Sequence, residues 1–242
     1  MSVENLLTLE GVQTHIGAYH ILHGVDLAVP RGQLTMLLGR NGAGKTTTLR
    51  TIMGLWHASQ GRVRFGDKDI TALQTPQIAG LGIAYVPENM GIFSDLTVKE
   101  NMLLAARAAK NAGQIDDTRL KWIFKLFPAV EKFWNHPAGK LSGGQKQMLA
   151  VSRAIVEPRE LLLIDEPSKG LAPVMINNMI DAFAELKRSG VTILLVEQNI
   201  NFAQRLGDNV AVMDNGRVVH SGSMAAFSAD AQLQQSLLGL AL

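Results

Sequence analysis

The chain has 242 residues, 47% of them hydrophobic and 18% charged, which places it with folded globular chains and leaves room for one large α/β domain. A formal net charge of +2 is too small to argue for a nucleic-acid partner, and the lack of cysteine removes disulfides and thiolate metal sites. Met1-Ser2-Val3-Glu4-Asn5 lacks the basic region of a signal peptide, and no apolar run approaches the roughly 20 residues of a membrane span, so a cytoplasmic chain is expected.

Residues 6–14 and 21–29 carry β-branched and apolar residues in near-alternation and predict two strands of an antiparallel layer. Pro30-Arg31-Gly32 then turns into the apolar run Leu34-Thr35-Met36-Leu37-Leu38, a buried strand. Next comes Gly39-Arg40-Asn41-Gly42-Ala43-Gly44-Lys45-Thr46-Thr47, followed by a helix predicted over 46–53. Strand, G-x-x-x-x-G-K-T and helix together make a phosphate-binding P-loop. Its glycines let backbone N–H groups converge on an anion, and the helix N-terminus adds partial positive charge there. Lys45 is placed to reach the β- and γ-phosphates of ATP, and the Thr46 hydroxyl to ligate Mg²⁺.

Two further strands are predicted at 61–66 and 82–86, the second stopped by Pro87. The character then changes. Thr97-Val98-Lys99-Glu100 reads as a capping box opening an amphipathic run, and Leu120, Ile123, Phe124 and Phe127 recur at helical spacing. Lys110-Asn111-Ala112-Gly113-Gln114 reads as a loop between helices. A helical insert of about 65 residues, near 89–157, is therefore expected inside one domain spanning 1–242. Within it, Ser142 is a candidate N-cap, and Gly143 and Gly144 would expose N–H groups beside Gln145 as a second anion site.

The α/β core resumes at Leu161-Leu162-Leu163-Ile164-Asp165-Glu166-Pro167, whose four apolar residues predict a strand buried on both faces. Residues 191–196 and 210–213 predict two more, with helices at 173–188 and 200–206 between them and a hairpin turn at Asp214-Asn215-Gly216. The C-terminal edge of such a sheet is where ligands bind. Asp165 there suits Mg²⁺, and Glu166 suits the polarisation of a water attacking the γ-phosphorus. Gln198, just past the next buried strand, offers a neutral amide donor and acceptor at the same edge.

Leu141-Ser142-Gly143-Gly144-Gln145 between a P-loop and an Asp-Glu strand resembles the signature of ATP-binding cassette (ABC) ATPases, and the resemblance covers nearly the whole chain. It implies a RecA-like core with an antiparallel β-subdomain and an inserted α-helical subdomain, and Mg-dependent hydrolysis of ATP. It also implies a head-to-tail pair with a second ABC ATPase subunit, each ATP lying between one P-loop and the partner's signature. Such pairs drive two transmembrane permease subunits from the cytoplasmic face of the membrane. The resemblance puts Val86-Pro87-Glu88 at the Q-loop, with Glu88 a candidate metal contact, Ser168-Lys169-Gly170-Leu171 at the D-loop and Gln198 at the H-loop. Glu88, Leu171 and Gln198 depart from the usual Gln, Asp and His. These departures, with Glu166-Pro167-Ser168 and Val196-Glu197-Gln198-Asn199, are similar to the LivF-type ATPase subunits of branched-chain amino acid uptake systems, which a periplasmic solute-binding protein supplies. Urea or another small organic solute stays open. Ile16 stands where an aromatic usually stacks on adenine, which leaves that contact open among Tyr19, His15 and Ile16 itself. A soluble ABC ATPase acting on DNA or ribosomes would bring long coiled coils or a second cassette, and a regulator without turnover would not need Glu166.

Overall fold

The computed structural model describes residues 4–108 and 114–239. The predicted loop at Lys110–Gln114 therefore lies, but for Gln114, outside the described residues. The antiparallel layer comes first: β1 (Asn5–Ile16) pairs with β2 (Tyr19–Pro30) and, after the P-loop strand β3 (Leu34–Gly39) and helix α1 (Lys45–Ile52), with β4 (Ala58–Phe65). A two-residue β5 (Lys68–Asp69) completes that sheet, in the order β2-β1-β4-β5. Strands β1 and β2 run further than strict alternation predicts, because register shifts at bulges keep their apolar residues on one face.

Helix α2 (Thr75–Gly80) leads into β6 (Ile83–Val86). The chain from there to residue 160 carries α3 (Val98–Ala108), α4 (Asp117–Leu126), α5 (Pro128–Lys132), a 3₁₀ turn at Ala138–Lys140 and α6 (Gly143–Ala154). The capping box forms: Thr97 N donates to Glu100 Oε2 at 2.8 Å, and Glu100 N to Thr97 Oγ1 at 3.2 Å. Phe127, predicted helical, is instead a cap at φ −131°, because Pro128 disfavours helical geometry in the residue before it.

The core closes with β7 (Leu161–Asp165), α7 (Pro173–Arg188), β8 (Thr192–Val196), α8 (Ile200–Leu206), β9 (Asn209–Asp214) and β10 (Arg217–Ser223), then α9 (Met224–Ala229) and α10 (Ala231–Leu238). The second sheet has the order β10-β9-β3-β8-β7-β6, parallel except for β10 at its edge. Both its faces are buried. Met36, Ile164, Leu195 and Val212 meet the helices of one face, packing with Val151, Phe183 and Phe202; Leu37, Leu163, Leu194 and Ala211 meet the antiparallel sheet and α1, packing with Leu7, Val25 and Leu49. Double burial is why these strands read as unbroken apolar runs. It also leaves the strand ends as the place where polar side chains reach solvent.

Candidate functional site

Three adjacent central strands, β3, β8 and β7, end at one edge, each followed by a polar segment. The β3 end is the P-loop. Gly39 has φ +148°, and a Cβ there would sit 2.3 Å from the Met213 carbonyl oxygen, so only glycine fits. Gly44 caps α1 in left-handed geometry at φ +104°, with no side-chain cap hydrogen bond. The first N–H groups of α1 are thereby left for a ligand. Lys45 is buried and folded back, its Nζ donating to the carbonyls of Gly39 at 2.8 Å and Arg40 at 3.0 Å. Burial pushes its pKa down, against the pull of Glu166 and Asp165.

At the β7 end, fully buried Asp165 accepts from Thr46 Oγ1 at 3.2 Å and from the Tyr85 hydroxyl at 3.4 Å. Burial pushes the Asp165 pKa up, more than the Thr46 hydrogen bond lowers it; Glu166 and Glu88 push it the same way as burial. The Tyr85 pKa is pushed up to about 12, by burial first and then by Asp165. Two hard oxygen donors, the Thr46 hydroxyl and the Asp165 carboxylate, thus meet at this end of the strand.

Glu166 follows with φ +47°, a left-handed conformation that costs a non-glycine residue roughly 1–2 kcal/mol. Its N–H donates to Val196 O at 3.0 Å, which holds the strained turn against β8. The carboxylate faces the P-loop, with Oε1 3.9 Å from Lys45 Nζ. Gln198, at the end of β8, donates through one amide nitrogen to Glu166 Oε1 at 2.5 Å and to Asn41 Oδ1 at 2.7 Å. Two acceptors on one side fix which way this amide points.

Asn41, Gly42, Gly44, Lys45, Thr46, Thr47, Glu88, Glu166 and Lys169 line one cleft, with Ile21. Predicted residues far apart in the chain are therefore brought together. Glu88 lies in that cleft too, but its Oε1 accepts from Lys169 at 2.5 Å. The second predicted anion site does not join it: Ser142, Gly143, Gly144 and Gln145 are not among the residues lining this cleft. They form a capping box, with Ser142 N donating to Gln145 Oε1 at 2.9 Å and Gln145 N to Ser142 Oγ at 3.4 Å. Gly144 packs against Met175, while Ser142 and Gly143 are exposed. Tyr19 is 75% exposed, and the His15 ring stacks on His20 at 4.1 Å.

Comparison with known proteins decides the family. The ABC transporter family profile matches residues 22–169, more than half of the chain. The chain belongs to the ABC transporter family. Over 97% of its length this cassette is 37% identical to the whole of a high-affinity branched-chain amino acid transport ATP-binding protein, BraG, of Pseudomonas aeruginosa. Over 84% of its length it is 37% identical to a probable branched-chain amino acid transport ATP-binding protein, LivF, of Archaeoglobus fulgidus, covering 86% of that relative. Its fold superposes on the ADP conformation of MJ1267, an ATP-binding cassette of an ABC transporter, with TM-score 0.82 and 26% identity, covering 96% of this chain and 97% of the other. Hydrolysis of ATP coupled to transport follows from the family.

One residue of the cassette's edge escapes the sequence reading. Glu197 is buried, 2% exposed, between β8 and Gln198. Its carboxylate accepts from three backbone N–H groups: Ser168 at 3.0 Å, Gln198 at 2.9 Å and Asn199 at 3.1 Å. One buried anion thus staples the turn after β7 to the turn after β8. The residue type is visible in the sequence, but its burial is not: a carboxylate taken out of water needs hydrogen-bond donors, and here the backbone supplies them.

Proposed function

We propose that the chain is the ATP-hydrolysing subunit of an importer for branched-chain amino acids. It acts at the cytoplasmic face of the membrane, paired with a second ABC ATPase subunit and seated on two permease subunits that a solute-binding protein serves. The observation that carries this reading is similarity running end to end along BraG, at 37% identity, rather than through the nucleotide motifs alone. Among the described residues no helix is long and apolar enough to cross a membrane, so permeation falls to other chains. Exposed Ser142 and Gly143, away from the chain's own P-loop cleft, suit a signature that serves the partner's ATP.

In this reading the backbone of residues 39–47 wraps the phosphates, and Lys45 exchanges its two carbonyls for phosphate oxygens. Thr46 and Asp165 are hard oxygen donors in hydrogen-bond contact, and together they would hold Mg²⁺. Glu88, in the same cleft, would join through water. Mg²⁺ held there would supply positive charge against the charge developing on the phosphates. Glu166 takes the proton of the attacking water, and Gln198 keeps the carboxylate aimed.

Gln198→Ala should lower kcat roughly 10- to 10³-fold, as loss of a positioning donor does, with ATP affinity within a few-fold of wild type. Wild-type turnover by this variant in the assembled transporter would remove Gln198 from the mechanism. The transport reading is tested by ATP-dependent uptake of labelled leucine, isoleucine and valine into vesicles holding the chain with its permease subunits. Uptake of another solute, urea included, in their place would overturn the branched-chain assignment; no ATP-dependent uptake would overturn the importer.

A further inference from the structure

Lys169 occupies the turn after β7 and faces two carboxylates at once. Its Nζ lies 2.5 Å from Glu88 Oε1 and 3.5 Å from Glu166 Oε2. It lines the same cleft as the P-loop. Its base is anchored: Lys169 N donates to Glu166 O at 3.2 Å, and the preceding residue, Ser168, is held through its N–H by buried Glu197. Glu88 is anchored as well, two residues beyond the last ladder position of β6, with Pro87 between.

Glu166 has two oxygens to keep in place. Gln198 holds Oε1, but the terminal torsion of a glutamate is broad, and one hydrogen bond leaves the other oxygen to swing. Lys169 is the group beside Oε2. As a stabilising ion pair an exposed lysine is worth little. As an orienting contact it acts where displacement of the reacting group is costly.

We propose that Lys169 is a positioning residue for hydrolysis, pairing with Glu166 and Glu88 together so that the catalytic carboxylate keeps one orientation and the turn after β6 is tied to it. The proposal rests on Glu166 acting on the water that attacks ATP. Its test is a set of four variants, Lys169→Met, Lys169→Arg, Glu88→Gln and the double variant Lys169→Met/Glu88→Gln, measured for kcat, KM and melting temperature in whichever assembly the wild type turns over ATP. Lys169→Met should lower kcat about 10-fold with KM for ATP within about 3-fold and a melting temperature within about 1 °C of wild type. Lys169→Arg, which keeps the charge, should recover kcat to within about 3-fold of wild type. Glu88→Gln should lower kcat as well, and the double variant should lose less than the product of the two single losses, because the two changes share one tie whatever Glu88 contributes besides. Unchanged kcat in Lys169→Met, no recovery with Arg, or losses that multiply in the double variant would each overturn the proposal. A wild type without ATP turnover in any assembly would instead overturn the ATPase reading beneath it.

Discussion

Glu166→Gln is expected to bind ATP as the wild type does and to hydrolyse it roughly 10²- to 10⁴-fold more slowly, the range for loss of a general base. Glutamine keeps the length of the side chain and an oxygen for the Gln198 amide, so the bond at Oε1 survives. It removes the negative charge that faces Lys45 and Lys169, and it cannot take a proton from water. The left-handed turn at residue 166 is unaffected, since both residues have the same backbone preference. With hydrolysis blocked, ATP should hold two cassettes together, its phosphates contacting one P-loop and the opposite Ser142–Gln145 turn. Single-turnover kinetics and light scattering with Mg-ATP measure the two effects. Turnover near wild type would remove Glu166 as the base. A variant that stays monomeric with ATP in the presence of its partner subunit would remove the sandwich.

Lys45→Ala is the second large effect. Turnover should fall by at least about 10²- to 10³-fold, the cost of removing one preorganised donor from charge that develops in a transition state. ATP affinity should weaken as well, unlike in Glu166→Gln, because Lys45 compensates phosphate charge in the ground state too. Equilibrium nucleotide binding alongside ATPase rates checks both parts, and wild-type activity would sink the P-loop assignment.

What could be read from the sequence was what local rules determine. The P-loop is legible because glycine spacing, lysine and strand–helix context lie within about fifteen residues. The helices 173–188 and 200–206 are legible to their ends because Pro173 starts one and Asn199 caps the other, accepting from Phe202 N at 3.1 Å. Strand order is another matter. Nothing near β3 says that its neighbours are β8 and β9 rather than β4 or β6, since pairing partners are chosen by the whole sheet. Likewise Glu88 and Lys169 are 81 positions apart, and their contact is a product of the fold. Glu197 was passed over because a charged residue after a strand is usually solvated, and here the backbone of two turns replaces the water.

The placement of β3 has a consequence for how the protein is made. A ribosome releases the chain from its N-terminus, so the P-loop emerges early, yet both strands that flank β3 are encoded within residues 192–214. Until those arrive, the nascent chain holds the phosphate-binding residues on an apolar strand with neither of its hydrogen-bonding neighbours. Such long-range pairing is slow to form and exposes apolar surface meanwhile. A chain stopped before residue 192 keeps the glycines and Lys45 but lacks both strands that seat them, so it would expose apolar surface rather than form the nucleotide site.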